Sequence, residues 1–218
     1  MKGAGLPGLV VIEGPIGVGK TALAKRLAAQ FNAGLLLEET AHNPFLEQFY
    51  RDRDGAALPA QLFFLFERAR QLDVLRQDDL FTRSRVADFL IAKDRLFAQL
   101  TLSRAEMDLY DQIQARLDIE APAPDLVVYL QAPVDTLKAR LRQRRGAFDS
   151  MIDSAYLERV NDAYARFFHA YSEAPLLIVN AAQIDPINNE RDFDALVGEL
   201  SAPPRGRRFF NPATHAIA

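Results

Sequence analysis

The chemistry-bearing residues nearest the N-terminus form a phosphate loop. They match the pattern G-x-x-x-x-G-K-[ST] in full and comprise Gly14, Pro15, Ile16, Gly17, Val18, Gly19, Lys20 and Thr21. Glycines let backbone N–H groups point at phosphate oxygens, Lys20 supplies positive charge, and Thr21 can bind Mg²⁺. The alternative is a glycine-rich turn with a chance lysine, but the loop lies between a buried strand and a helix. The loop therefore predicts a nucleoside triphosphate site.

Two carboxylates follow the second predicted strand. Glu38 and Glu39 come directly after the apolar run at residues 35–37. Neighbouring strand side chains point in opposite directions, so one of the two should face the ligand edge of the sheet. A carboxylate there could accept a proton from an attacking hydroxyl group. The alternative interpretation is a solvated strand end.

Arginines are concentrated at the end of a later predicted helix. They are Arg140, Arg142, Arg144 and Arg145. A solvated basic face is one interpretation, because the helix dipole favours cations near a C-terminus. In a protein with a phosphate loop, such a cluster also suits a lid that clamps the transferred phosphoryl group. We therefore predict an arginine-rich lid near residues 140–150.

A glutamine and an arginine lie two turns apart on a long, mostly apolar helix. Gln61 and Arg68 should occupy one face of the helix predicted at residues 59–76. Their polar groups need partners, which could be internal or part of a bound base. Because this helix is apolar nearly all round, it should be buried or shared with a partner chain.

These residues depend for their positions on alternating strands and helices. Short apolar runs predict strands at residues 9–12, 35–37, 85–88, 126–130 and 176–179. Helices are predicted at residues 19–31, 45–50, 59–76, 89–102, 104–119, 135–145, 155–171 and 189–200. We therefore expect an α/β fold of three layers, with a five-stranded parallel sheet and helices on both faces. Ligands bind such sheets beyond the carboxyl ends of the strands.

Composition narrows the class of protein further. The chain has 218 residues, 49% of them apolar and 25% charged, which suits one compact domain. It has no cysteine, which excludes disulfides and thiolate metal sites and fits a cytoplasmic location. A net charge of −3 without a basic block argues against nucleic-acid binding. The longest obvious apolar cluster, residues 62–66, is too short to span a membrane.

Several segments resemble the deoxyribonucleoside kinases, and most closely the bacterial deoxyadenosine/deoxyguanosine kinase branch. Besides the phosphate loop they are residues 38–50 (EETAHNPFLEQFY), Gln61 with Arg68, residues 93–98 (KDRLFA), residues 124–130 (PDLVVYL) and residues 156–159 (YLER). The similarity spans roughly residues 8–200 and leaves the tail outside. The phosphate loop alone is generic, whereas the ordered set of segments is specific.

The resemblance implies roles on the nucleoside side of the site. Glu38 aligns with the general base that accepts the proton of the 5′-hydroxyl. Tyr50 and Asp149 align with residues that hold the sugar 3′-hydroxyl, although the family usually has glutamate at the second position. Base recognition is implied for Gln61, Arg68 and Asp94.

The lid departs from the family pattern. The usual Arg-Gly-Arg reads Arg-Arg-Gly at residues 144–146. Arg144 still falls within the lid, where the resemblance implies a catalytic role, and Arg140 and Arg144 are expected to contact the nucleotide. The departure leaves the role of each arginine open.

The main departure concerns the family's Asp/Glu-Arg-Ser/Thr motif. Residues 82–84 (TRS) resemble it but lack the acid. The family places its acid six residues before the aspartate that matches Asp94, which selects Asp88 instead. Phe89 then replaces the arginine and Leu90 the hydroxyl residue. This alignment keeps an acid for Mg²⁺, to act with Thr21, but loses one cation near the transferred phosphate.

The sequence therefore predicts a homodimeric kinase of nucleotide salvage. It would transfer the γ-phosphoryl group of ATP, with Mg²⁺, to the 5′-hydroxyl of a deoxyribonucleoside such as deoxyadenosine or deoxyguanosine. Residues 1–200 would form the kinase domain and residues 201–218 a C-terminal extension. Two alternatives remain open. A nucleoside monophosphate kinase would need an arginine for the acceptor's phosphate, and a non-catalytic nucleotide-binding subunit would bind without turnover.

Overall fold

A computed structural model of the protein contains a six-stranded sheet whose strand pairs are parallel. It describes residues 6–52, 55–77, 84–117, 119, 121–202 and 205–211; Thr82 and Arg83 of the TRS segment lie outside them. The strands are β1 (Leu9–Glu13), β2 (Gly34–Leu36), β3 (Arg85–Ala87), β4 (Leu126–Gln131), β5 (Leu176–Asn180) and β6 (Arg207–Phe210). Their order in the sheet is β2-β3-β1-β4-β5-β6. The largely apolar strands β1 and β4 are therefore the two central strands.

Eight α-helices connect and cover the strands of the described chain. They are α1 (Lys20–Phe31), α2 (Leu46–Arg51), α3 (Ala57–Gln77), α4 (Lys93–Thr101), α5 (Arg104–Leu117), α6 (Val134–Arg144), α7 (Ser154–Ala170) and α8 (Glu190–Leu200). Within the described residues, no helix combines the length and apolar character needed to cross a membrane.

Each face of the sheet carries its own apolar core. Val10 and Ile12 of β1 pack on one face against α1, α6 and α8. Val11, on the opposite side of the same strand, joins a second core with α2, α4 and α7. Strand residues alternate between faces, so a strand that is apolar at every position must be covered on both. The predicted three-layer architecture is confirmed.

The predicted number of five strands is wrong. The sixth strand, β6, pairs with β5 through Leu176 and Arg207 at one end and Val179 and Phe210 at the other. Phe210 is 5% exposed, and Arg207 donates to backbone carbonyl groups at the end of α7. The segment reads Arg-Arg-Phe-Phe, which has neither an apolar run nor clean alternation. Its pairing depends on tertiary contacts that local patterns do not reveal.

The helices agree with the predicted ranges within two residues, with one exception. We predicted the first helix after β3 from residue 89, but α4 begins at Lys93. Residues 88–92 form a connecting loop whose backbone serves the site instead: the N–H of Leu90 donates to Oε1 of Glu13 at 2.6 Å. A buried acceptor thus competes with helix hydrogen bonding at this point.

Candidate active site

The phosphate loop connects β1 to α1 at the carboxyl edge of the sheet. Gly14 has φ 150° and Gly17 φ 84°, both disfavoured for residues with a side chain. A Cβ atom on Gly14 would collide with the backbone oxygen of Leu130. No side chain caps the first turn of α1, so no capping group occupies the backbone N–H groups that point towards the loop. This is the arrangement that a helix N-terminus offers to phosphate oxygens.

Lys20 lies inside the loop. Its Nζ donates to the backbone oxygens of Gly14 and Pro15 at 2.7 and 3.3 Å. Burial and the nearby charge of Lys93 lower the pKa of Lys20 from 10.5 to about 8, although the surrounding carboxylates oppose the shift. Anionic phosphate oxygens would favour the charged ammonium again. The loop thus holds a lysine that is placed to bind phosphate oxygens.

Asp88 joins the phosphate loop to the end of β2. Its Oδ2 accepts from the hydroxyl of Thr21 at 2.5 Å, and its Oδ1 accepts from the N–H of Glu38 at 2.7 Å. A hydroxyl and a carboxylate side by side are hard oxygen donors of the kind Mg²⁺ prefers. No cluster of three or more His, Asp or Glu side chains that could hold a metal occurs among the described residues. The two oxygens fit a Mg²⁺ ion that also binds phosphates.

Glu38 is held by cations at the floor of the cavity. Its carboxylate pairs with Nη2 of Arg68 and lies 3.3 and 3.4 Å from Nζ of Lys93. Burial by itself would raise its pKa, but Arg68, Lys93 and Lys20 together lower it from 4.5 to about 2. Glu38 is therefore ionised at neutral pH. It can accept a hydrogen bond from an incoming hydroxyl group.

Glu39 differs from its neighbour in every respect. Its side chain is 50% exposed, and Oε2 lies 2.6 Å from Nδ1 of His42, which is 70% exposed. Glu38, in contrast, is 16% exposed. Of the two glutamates left open by strand alternation, Glu38 faces the cavity.

Arg68 links two carboxylates. Nη1 of Arg68 pairs with Asp94, while Nη2 pairs with Glu38. Both Arg68 and Asp94 are nearly fully buried, and Nε of Arg68 and Oδ2 of Asp94 have no hydrogen-bond partner among the described residues. Buried polar atoms of this kind are normally satisfied, so Arg68, which lines the cavity, retains hydrogen-bonding capacity for a ligand. Asp94 supports Arg68 from behind, because it does not itself line the cavity.

A cavity of about 310 Å³ brings most of the predicted residues together. Those that line it are Ile16, Gly17, Lys20, Thr21, Glu38, Tyr50, Gln61, Arg68, Asp88, Arg144 and Asp149. Gln61 is 6% exposed, and its Nε2 lies 3.3 Å from Oγ1 of Thr101, an internal partner. Gly14, Pro15, Val18 and Gly19 complete the loop behind this lining.

Aromatic side chains form a wall that sequence reasoning missed. The wall consists of Phe49, Phe64, Phe97, Phe148 and Tyr156, which line the same cavity as the charged residues. Phe64 also lies under the guanidinium of Arg68, 5.2 Å from the ring centroid. Flat apolar faces beside a few fixed polar groups suit a planar base. Phe49, Phe97 and Tyr156 fell in segments that resemble the family, but none of the three had been given a role.

The lid arginines have different partners. Arg144 binds Asp149 in a two-pronged ion pair, with Nε 2.8 Å from Oδ2, and the N–H of Gly146 donates to the same oxygen at 2.8 Å. Burial acts to raise the pKa of Asp149, but Arg144 and Gly146 lower it overall. Arg140 instead donates to backbone oxygens of Val18 and Ala181 at 2.9 and 2.6 Å. Arg140 thus braces the phosphate loop from outside the cavity.

Phe89 does not face this site. It is 3% exposed and lines a separate, largely apolar cavity with Val11, Leu72 and Pro122. A long cationic side chain at position 89 would therefore have to turn out of this apolar cavity to reach the site. The cations that surround Glu38 come from Arg68, Lys93 and Lys20 instead.

The fold and the cavity define a phosphotransferase with a phosphate loop. The family model for deoxynucleoside kinase matches residues 10–202. A deoxyguanosine kinase of Bacillus subtilis is 30% identical over 197 residues, which cover 88% of this chain and 95% of the relative. A deoxyadenosine/deoxycytidine kinase of the same organism is 26% identical, covering 89% and 92%. The structure of a deoxyadenosine kinase from M. mycoides with bound dATP superposes with a TM-score of 0.78 at 20% identity, covering 89% and 100%.

The chain therefore belongs to the deoxynucleoside kinase family. As a member of that family it is an enzyme that phosphorylates deoxynucleosides. The family match covers the predicted kinase segment almost from end to end. The relatives named as kinases favour an enzyme over the non-catalytic subunit.

Proposed function

We propose that the protein transfers the γ-phosphoryl group of Mg²⁺-bound ATP to the 5′-hydroxyl of deoxyadenosine or deoxyguanosine. One observation carries the proposal. The phosphate loop with Lys20 and Thr21 shares a single cavity with an ionised glutamate, Glu38, and with a buried arginine, Arg68. The phosphoryl donor and the acceptor hydroxyl can thus both approach the carboxylate of Glu38. Positioning and electrostatic stabilisation supply most of the rate in such transfers.

Each end of the cavity has its own chemistry in this proposal. Lys20 and Arg144 would offset charge on the phosphates, and Thr21 with Asp88 would hold Mg²⁺, which would help to neutralise phosphate charge when bound. Glu38 accepts a hydrogen bond from the 5′-hydroxyl and aligns it. Tyr50 and Asp149 would hold the 3′-hydroxyl, supported by their place in the cavity wall.

Base selection rests on Gln61, Arg68 and Asp94. An amide can donate and accept, so Gln61 reads a base edge without choosing one. The Arg68–Asp94 ion pair is buried and held by a charge-assisted bond. A base that does not form hydrogen bonds with this pair would leave buried polar groups without partners and should therefore be rejected. Relatives named as deoxyguanosine and deoxyadenosine kinases favour a purine. Thymidine, with a methyl group and no exocyclic amino group, should be a poor substrate.

The proposed assembly is a cytoplasmic homodimer that uses α3 and α5. Phe66 of α3 is 50% exposed and Leu109 of α5 is 45% exposed, whereas Leu65 beside Phe66 is fully buried. The helix α3 is thus apolar on its core face and on its outer face. A second copy of the chain would cover the outer face through the same residues.

A phosphorylation panel tests the function. The purified chain would be assayed with Mg²⁺ and ATP on the four natural deoxynucleosides and on deoxyadenosine monophosphate, with Lys20→Ala as the matched inactive control. We expect turnover on deoxyadenosine or deoxyguanosine. Preference for the monophosphate would support a nucleoside monophosphate kinase instead, and absence of turnover on every acceptor would refute the proposal.

A further inference from the structure

A lysine is buried beside the phosphate loop at the first residue of α4. Lys93 is 2% exposed, and its Nζ lies 3.4 Å from Oε1 of Glu13 and 3.3 Å from Oε1 of Glu38. The same Nζ lies 3.4 Å from the second oxygen of Glu38. A charged ammonium group is costly to bury unless it is paired, and here two carboxylates pair with it. The mechanism proposed so far gives this lysine no role.

The two carboxylates depend on Lys93 to different degrees. Glu13 is fully buried and accepts three other hydrogen bonds, from Gly14 N at 3.1 Å, Leu90 N at 2.6 Å and Tyr164 Oη at 3.0 Å. Glu38 faces the cavity, and its carboxylate is held by Arg68 and Lys93. Glu13 is thus a fixed anchor, whereas the carboxylate of Glu38 is oriented by two cations.

We propose that Lys93 is a positioning residue, whose ammonium group, anchored on Glu13, fixes the Glu38 carboxylate where it meets the acceptor hydroxyl. Arg68 contacts Glu38 from the nucleoside side, and Lys93 reaches both carboxylate oxygens from the side of β1. Two cations on different elements restrict the rotation of a carboxylate more than one can. Lys93 is not among the described residues that line the cavity, so any effect on the acceptor must pass through Glu38. The inference rests on the proposed role of Glu38.

Charge balance decides how the proposal can be tested. The site brings together four carboxylates and three cations: Glu13, Glu38, Asp88, Asp94, Lys20, Arg68 and Lys93. Neutralising Lys93 alone leaves two cations for four buried carboxylates and can destabilise the fold. Neutralising Glu13 at the same time leaves two cations for three. The double variant Glu13→Gln/Lys93→Met therefore keeps the test available if Lys93→Met does not fold.

A double-mutant cycle separates positioning from structural support. We expect Lys93→Met to lower kcat about 10- to 100-fold while KM for the nucleoside changes less than about threefold. In a Glu38→Gln background the same substitution should change kcat less than about threefold, because a residue that acts through Glu38 has nothing left to position. If Lys93→Met lowered kcat equally in the wild-type and Glu38→Gln backgrounds, the inference about Lys93 would be overturned, while the proposed role of Glu38 would stand. Wild-type kcat in Glu38→Gln itself would overturn the proposed role of Glu38, and the inference with it.

The anchor provides the matched controls. Tyr164→Phe removes a hydrogen bond to Glu13 without contact to Glu38, so we expect a lower melting temperature with kcat within about threefold of wild type. The double variant Glu13→Gln/Lys93→Met should fold, and its kcat should be lowered as much as that of Lys93→Met. Recovery of wild-type kcat in that double variant, or an equal loss in Tyr164→Phe, would show that Lys93 serves Glu13 only and would refute the proposal.

Discussion

Replacing Glu38 by glutamine removes the negative charge at the centre of the cavity with almost no change in size. The substitution leaves three carboxylates facing the three cations Lys20, Arg68 and Lys93, so the site remains balanced in charge. Glu39→Gln is the matched control, because that side chain is half exposed and pairs with His42 outside the cavity. The pair of variants compares two adjacent residues that share a backbone and differ in direction.

The structure limits how much proton transfer Glu38 can contribute. Its pKa of about 2 makes it a weak proton acceptor at neutral pH, because three cations favour the ionised form. General bases typically contribute about 10²- to 10⁴-fold, and the larger values need a pKa near the working pH. We therefore expect Glu38→Gln to lower kcat by roughly 10²-fold, or about 2.7 kcal/mol, mainly through lost alignment of the hydroxyl. KM should change little.

The same carboxylate also stabilises the folded chain. Lowering its pKa from 4.5 to about 2 corresponds to roughly 3 kcal/mol at neutral pH. Because the folded-state pKa is depressed, this stabilisation is present above pH 4.5 and is lost as the pH falls towards 2. Glu38→Gln should therefore melt about 6–12 °C lower at pH 7 but remain folded. Its free energy of unfolding should also fall less than that of wild type between pH 5 and pH 3.

The assays separate the two effects. Initial rates over a range of nucleoside concentrations give kcat and KM, and thermal unfolding without nucleotide or divalent metal gives stability. Equal rate losses in Glu38→Gln and Glu39→Gln, or a larger loss in Glu39→Gln, would refute the choice of residue. A loss confined to KM would contradict the alignment argument, because it would indicate uniform binding rather than transition-state stabilisation.

Three further predictions concern other parts of the molecule. Lys20→Ala should abolish turnover while circular dichroism shows that the chain still folds, because Nζ faces the loop carbonyls rather than an apolar core; wild-type kcat would contradict the loop assignment. Phe66→Glu should convert the proposed dimer to a monomer in light scattering, since Phe66 is 50% exposed; a monomeric wild-type protein would contradict the proposed dimer. Replacing Arg68 and Asp94 together by small neutral residues should shift kcat/KM from deoxyadenosine towards thymidine, and an unchanged ratio would indicate a purely structural ion pair.

The sequence predicted those parts of the site whose chemistry is local. The phosphate loop follows from spacing alone, and strand alternation reduced the choice of carboxylate to Glu38 or Glu39. The contribution of Lys93 could not be predicted, because its burial depends on Glu13 and Glu38, which lie 80 and 55 residues away in the chain. Strand β6 was not predicted for the same reason. Its pairing with β5 is a tertiary contact, and its Arg-Arg-Phe-Phe sequence has no strand periodicity.

The unpaired Nε of Arg68 indicates how a nucleoside could bind without breaking the ion network. Displacing Arg68 from Asp94 would leave a buried charge unpaired, which costs several kcal/mol. Nε of Arg68, however, has no hydrogen-bond partner among the described residues, and Arg68 lines the cavity whereas Asp94 does not. A ligand that reaches Nε satisfies it and leaves both ion pairs intact. If Arg68 recognises the base as proposed, it does so while it holds Glu38, so substitutions of Arg68 that change base recognition should also disturb the alignment of the hydroxyl.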